Sequence, residues 1–498
     1  MQGKVGAEVA QEFVKNLKGK VDRINHQKLH LQVLLSGRDV AIPLSRLKDG
    51  QVLHILPYYV DQAEQDEYED PKALLQKDLR NQWWQNYGAV SGREFAAMPQ
   101  ELSRDNLSEI TAQPLLNYLM ALSYVRGNLT ISETTNLNQI YADLLGGIYD
   151  RGWESSQHPA LEGVSSSEDF SRVLEEVALA VWHGNGRTTT VATITQYCEQ
   201  SGLQSLLPSL QAGTETTGVM QLLLAFYFRP SASIPQGDET FEFTHKGFGE
   251  YLTACRIVRG LHDIHNQLEI RKQNADSGLD EKTALVKWVK LCGPSPIDQY
   301  LMEFLRNEMR LQNPAEVKQW QEMLCGLIEI VLKQGLPMEK LSLATYHEAN
   351  RQAKNAEETL LVALSACACC TEERSKINWP TPEAFGTWLH RLRGQRSGFS
   401  PCLAALSFLD LEACILSNQD MDGANLYGAS LDRASLYGAS LYGANLYGAR
   451  LDGARLDGIS WDEDTNWINA WHLGSAIGLP EEWQKILAEQ AEENDDDR

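Results

Sequence analysis

The stretch ANLYGASLDRASLYGASLYGANLYGARLDGARLDG, residues 424–458, repeats every five residues. Leu426, Leu431, Leu436, Leu441, Leu446, Leu451 and Leu456 are spaced by five, and each follows by two positions an alanine, from Ala424 to Ala454. Seven consecutive matches are not chance, and a fixed period marks a repeat architecture. The register extends upstream to Leu411, Leu416 and Met421 and downstream to Trp461, all large and apolar. The small position degenerates at Leu409, Gln419 and Ile459, so the ends read as worn repeats.

This pattern resembles the pentapeptide-repeat family over roughly residues 406–463. The resemblance implies a right-handed quadrilateral β-helix with four five-residue faces per coil. Leucine and alanine would share a narrow lumen in which only a small residue fits beside a large one, with glycine easing each corner. Residues 20 apart would then stack at about 4.8 Å, placing Asn425 over Asn445, Tyr427 over Tyr447 and Asp432 over Asp452 in about two and a half coils. The outward positions carry no base, nucleophile or metal cluster, so the module reads as a surface, with Tyr427, Tyr437, Tyr442 and Tyr447 as candidate protein contacts. Longer acidic members of this family resemble duplex DNA and bind topoisomerases. Partial DNA mimicry toward such a DNA-binding partner is therefore the alternative function, although Arg433, Arg450 and Arg455 dilute the acidic face.

Around this repeat lies a chain of 498 residues, too long for one core. Its composition, 43% hydrophobic and 22% charged, excludes wholesale disorder, collagen and a coiled-coil rod. The net charge of -23 disfavours nonspecific binding to nucleic acid or an anionic membrane. The N-terminus lacks a signal-peptide core and no run is long enough to span a membrane, so a cytoplasmic protein is expected. Nine scattered cysteines fit reduced thiols. Cys367, Cys369 and Cys370 read as small buried thiols on a helix rather than zinc ligands, because a structural site needs four ligands at suitable spacing.

The first half reads as a helical face (Val9, Phe13, Val14, Leu17), a buried strand 29–35 and a second apolar run 52–56. Helices follow: TAQPLLNYLMALSYV at 111–125 with Pro near its start, an amphipathic segment from Leu137 to Ile148, and another from Phe170 to Trp182. A helix resumes over 188–198, and strand-like segments at 222–228 and 241–243 flank a wing, the outline of a winged helix. In this order LQVLLSGRDVAI, ITAQPLLNYLMAL, NLNQIYADLLGGIYDRGWE and FEFTHKGFGEYLTACRI resemble the NACHT branch of the STAND ATPases, signalling switches of the AAA+ type. The resemblance implies that Arg38 senses the γ-phosphate side, Pro114 packs beside adenine and His245 approaches the β-phosphate of ADP. The chain departs from that pattern at Gly37, Asp39, Gly247 and Gly249.

A P-loop of the form G-x-x-x-x-G-K-[ST] is absent from the sequence: the only Gly-Lys pairs, Gly3-Lys4 and Gly19-Lys20, do not complete it. No Walker B string precedes Leu29. The expectation is a truncated or split family member that does not hydrolyse ATP alone and holds no cofactor alone. ATP or ADP with Mg is implied only for a complete member.

The expected fold is multidomain and mostly α. Residues 1–60 would be an α/β remnant of the ATPase core, 61–155 a helical lid, 156–260 a winged helix and 261–400 a helical arm. Residues 401–465 would form the β-helix, and 466–498, rich in tryptophan and then acidic, a cap and tail. The expected function is the regulatory or sensor part of a bacterial STAND signalling protein, with antiphage defence as the setting the resemblance implies. Its expected partners are a protein or ligand sensed through the C-terminal half, another copy, or a separate ATPase fragment.

Overall fold

The computed structural model describes residues 57–154, 166–203, 228–230, 240–394 and 399–479, apart from 63–64, 66–69, 71–72, 133, 185–186 and 244–245, together with four positions of a helix at 20–25. The expected sensor strand with Arg38, the apolar run 52–56, His245 and residues 480–498 lie outside the described residues. The chain forms two compact units, 1–252 and 253–498. The division falls inside one continuous helix, Lys246–Gln273.

In the first unit, α1 (Arg80–Ser91), α2 (Asp105–Ala112) and α3 (Pro114–Arg126) lead into α4 (Leu137–Glu154). The sequence pattern runs 111–125 together, but Gln113 is extended (φ -84, ψ 129) and separates α2 from α3. The cause is Pro114, which disfavours helical backbone in the residue before it and is tolerated at a first helical position. Arg126 at the end of α3 reaches Asp143 Oδ2 at 2.6 Å. It lies against Gly147, where a Cβ would sit 1.7 Å from its Nη1, so α3 and α4 are keyed by an arginine over a glycine.

Next, α5 (Ser167–His183) starts from Ser166, whose hydroxyl accepts the Asp169 N–H, a standard helix N-cap. Strand β1 (Thr189–Thr190) precedes α6 (Val191–Gln200), and β2 (Phe228–Pro230) and β3 (Thr240–Phe243) complete a sheet of order β1-β3-β2. Both pairings are antiparallel, with Thr189 opposite Phe241 and Phe228 opposite Phe243. The helix expected from Thr188 begins at Val191, because the two β-branched threonines pair with β3 and Thr190 caps the helix through Thr193 N.

In the second unit, the helix Lys246–Gln273, here α7, is followed by α8 (Glu281–Cys292), α9 (Gln299–Met309), α10 (Pro314–Gln334), α11 (Tyr346–Thr371) and α12 (Ala384–Arg393). The array centres on α11, buried from Lys354 to Ala368 and packed by α8, α9, α10 and α12. Several of its buried polar groups are paired, although the Ser365 hydroxyl is not. Asn355 donates to Gly293 O at 2.8 Å, Lys354 and Glu358 form an ion pair, and Glu357 accepts from Trp388 Nε1 at 2.6 Å and from Arg391. Burial of such charges is tolerated only with partners.

From Leu409 onward the chain winds into a four-faced β-helix. Fourteen central residues pair in parallel with positions 20 to 22 residues away, making three and a half coils. The first face stacks Asp410, Ser430, Arg450 and Trp471; the second, Ile415, Ser435, Arg455 and Ile477. The third stacks Asp420, Ser440 and Ser460, and the fourth Asn425, Asn445 and Asn466. The leucines 426 to 456 and alanines 424 to 454 are fully buried in the lumen. The corners hold left-handed backbone: Gly423, Gly428 and Gly438 through Gly458 have φ between 62 and 68, and Ala413, Asn418 and Arg433 occupy the same place at 57 to 59.

The structure is longer than the expected two and a half coils. Residues 466–479, expected in a cap, continue the ladder with one-residue insertions, and Trp467, Leu473 and Leu479 take the place of the repeating leucine. The insertions break the strict period: Leu473 and Leu479 follow the central residues Trp471 and Ile477 by two positions rather than one, with His472 and Gly478 exposed between, while the parallel pairing continues.

The helical array also closes the first coil. Leu411 N donates to Ser430 O and Ser430 N to Leu409 O, so the central residue of each face turns both backbone groups toward the preceding coil. In the first coil those groups would be an open edge. Asp410 N donates to Ser375 O at 3.0 Å, and Asp410 O accepts from Trp379 Nε1 at 2.9 Å. Ile415 N donates to Pro382 O at 2.8 Å, Asp420 O accepts from Arg393, and Asn425 N donates to Leu403 O at 2.9 Å. Every face of the first coil therefore has a partner.

Leu436→Ala is expected to destabilise the β-helix by about 3–5 kcal/mol in denaturant unfolding, through lost transfer energy and a cavity. Gly443→Val, with nothing within 4 Å of an added Cβ, should cost about 1–2 kcal/mol from its left-handed backbone alone.

Candidate interaction surface

Three of the four outer corners carry the tyrosines, so the four candidate contacts do not make one surface. Tyr427 and Tyr447 share the corner between the fourth and first faces and stack at 5.4 Å with planes 7° apart. Phe408 meets Tyr427 edge-on at 5.3 Å. Tyr437 stands on the corner between the second and third faces, with the Arg455 guanidinium 4.7 Å above its ring. Tyr442 occupies the next corner, in the column of Asp422 and Asp462; its N–H reaches Asp422 Oδ1 at 3.2 Å. A fivefold period on a four-sided coil moves each successive tyrosine to a new corner, and only positions 20 apart align.

The stacking expected from sequence is present. Asn445 Nδ2 donates to Asn425 Oδ1 at 3.3 Å, and Asp452 N donates to Asp432 Oδ1 at 3.0 Å. Each asparagine also receives the N–H two residues on, from Tyr427, Tyr447 and Ile468, which fixes the corner beside it.

The acidic side chains of these faces are engaged within the chain. Glu412 pairs with Arg433, Asp432 with Arg450 at 2.6 Å, Asp457 with Arg455 at 2.8 Å and Asp420 with Arg393 at 2.7 Å. Asp422 accepts the Ser440 hydroxyl at 2.5 Å, and Asp462 accepts Gly443 N at 2.8 Å. The Asp420 carboxyl is held below the usual range: burial alone would raise it, but the hydrogen bond from Arg393, the Asp422 N–H and the Arg393 charge together outweigh that. Asp410 is shifted up by burial, against the pull of Lys376 and Arg374.

The last coil, whose residues read in the sequence as a cap, carries an outward set of its own. Ile468, Trp471 and Ile477 point outward there and are 63%, 61% and 58% exposed. They sit where the coils above carry Tyr447, Arg450 and Arg455. The signal was available only by carrying the register through the insertions at 460–477.

Of the three residues implied to face a nucleotide, only Pro114 is described. It opens α3 and is exposed, and one exposed proline is not by itself a nucleotide site. Among the described residues, no group of three or more His, Cys, Asp or Glu is disposed to hold a metal. Of the three cysteines expected to be buried only Cys367 is, with Sγ 3.8 Å from Met309 Sδ; Cys369 and Cys370 follow the end of the buried stretch of α11 at Ala368 and are partly exposed, Cys370 Sγ lying 3.7 Å from Met309 O. Burial pushes the Cys367 thiol up and those of Cys198, Cys325 and Cys414 to about 12, which suppresses thiolate chemistry. No helix among the described residues is long and apolar enough to cross a membrane.

The family model for pentapeptide repeats matches residues 420–458, in eight copies. Among solved structures, a pentapeptide repeat protein from the cyanobacterium Cyanothece 51142 is 45% identical over a stretch covering 12% of this chain and 42% of that chain, with a TM-score of 0.12. No curated protein matches the sequence. The C-terminal β-helix is thus built of pentapeptide repeats, the class of module its coil geometry and lumen define.

Two outcomes follow from these side chains. Asp410→Asn should raise the Tm at pH 7, because the upward-shifted carboxyl opposes folding when ionised; this opposition fades as pH falls through the folded pKa, and the gain should vanish below about pH 4. A thiol reagent should label Cys255, Cys369 and Cys370, which are partly exposed, before unfolding, and the six buried cysteines only in denaturant.

Proposed function

We propose that this chain is the regulatory, partner-binding part of a STAND-type switch, with the pentapeptide β-helix as its interaction module. The observation that carries the reading is the capping of the first coil. A parallel ladder braced on every face by a helical array is a rigid platform for outward side chains, and binding sites held on rigid elements lose little entropy on association. The paired tyrosines Tyr427 and Tyr447 are stiff aromatic anchors of the kind interfaces favour.

The order of elements around the small sheet supports the switch half of the reading. A helix, a short strand, a second helix and then an antiparallel pair, with the first strand joining the last, is the connectivity of a winged helix. In the NACHT resemblance that domain bears the histidine that meets ADP, here His245. Arg38, Pro114 and His245 remain the proposed nucleotide-facing residues, to be completed by an ATPase core on a separate polypeptide or further chain. A cytoplasmic setting and a part in antiphage defence belong to the same proposal.

DNA mimicry is the weaker reading, because the acids that would imitate phosphates are matched by Arg393, Arg433, Arg450 and Arg455 or used in local hydrogen bonds. The purified chain is expected to show no magnesium-dependent ATP turnover and no inhibition of topoisomerase supercoiling. Turnover lost in Arg38→Ala would overturn the first expectation, and dose-dependent inhibition would favour the mimic.

A further inference from the structure

The last coil presents an apolar patch across two adjoining faces and one corner. Ile477 lies at the centre of the second face, Trp471 at the centre of the first, and Ile468 at the corner below Tyr447. Arg455 and Arg450 stand one coil above Ile477 and Trp471. Both arginines are about half exposed even while paired with Asp457 and Asp432, so each keeps a donor edge toward solvent. Exposed Trp and Ile beside Arg is the composition of a binding hot spot rather than of a solvated face.

We infer that this patch is the docking surface of the chain's own C-terminal segment, residues 480–498. That segment, PEEWQKILAEQAEENDDDR, follows directly from Leu479, three residues past Ile477. Its 19 residues could span roughly 60 Å if extended, whereas a five-residue face is at most about 17 Å wide, so all three apolar side chains are within reach. Its chemistry matches the patch on both counts. Trp483, Ile486 and Leu487 supply apolar surface, and eight acidic residues against Lys485 and Arg498 supply the charge that Arg450 and Arg455 would attract. A second copy of the chain is a poorer occupant, since two molecules of charge -23 repel at long range while the tethered segment is held at high effective concentration. The docked segment would occupy Trp471 and the arginines and so compete with any partner that uses these faces.

The test is photo-crosslinking of the full-length protein carrying Trp471→p-benzoylphenylalanine, with Ile468→p-benzoylphenylalanine as a second, equally exposed position. The expected product has the mass of one chain, and its crosslinked peptides map to 480–498. Combining the probe with Arg450→Gln and Arg455→Gln, or raising the salt to about 0.5 M, where the Debye length is only a few ångströms, should lower that yield at least threefold. A crosslinked dimer, crosslinks confined to other segments, no crosslink at either position, or a yield indifferent to both the arginine changes and salt would overturn the proposal.

Discussion

A parallel β-coil cannot satisfy its own first turn. In this protein the central residue of every face directs its N–H and C=O backward, so each coil is completed by the one before it, and the first has nothing of its own kind to complete it. A buried or edge backbone group without a partner is costly. The helical array answers with a different device on each face: the backbone of Ser375 and Pro382, the Trp379 indole, the Arg393 guanidinium and the carbonyl of Leu403. Ser375 is held in turn by Gln321 of α10, and Arg393 ends α12, the helix on which the buried Glu357 of α11 fixes Trp388 and Arg391. The charged interior of α11 and the start of the β-helix are therefore parts of one construction.

The lumen imposes the second constraint. Leucine and alanine fill it without exposure, so the inward positions tolerate little change, while the outward positions are free to vary in charge and ring content. Corner conformation is stricter than corner identity. Most corners use glycine, yet Ala413, Asn418 and Arg433 adopt the same left-handed backbone, at a cost the surrounding ladder absorbs. Because the coil is four-sided, the outward residues sort into columns 20 apart, and chemistry accumulates by column: asparagine on one face, paired aspartates at one corner, stacked tyrosines at another.

Much of the β-helix was legible in residues 411–461, since the period is exact and from 424 to 456 each face is written twice, as alanine and as leucine. Its stacking pairs followed from arithmetic alone. The last coil was not, because insertions between Ser460 and Ile477 hide the register from a search for period five, although Thr465 and Trp467 still alternate inward. In the first unit the pattern found the helices near 114–126, 137–154 and 167–183 but not Arg80–Ser91, and it ran across Gln113, where a proline's effect on its predecessor outweighs apolar periodicity. The division at 252 and 253 could not be seen either, as it falls within a single amphipathic helix.

The sequence by itself determined the repeat, its inward residues and the vertical neighbours of each outward side chain, because these depend only on spacing along the chain. The tertiary structure alone decided which columns face one another around the coil, which acids find arginines, and what closes the first turn. Those outcomes join residues far apart in sequence, such as Ser375 with Asp410 and Arg393 with Asp420, through backbone groups every residue possesses and no sequence pattern advertises.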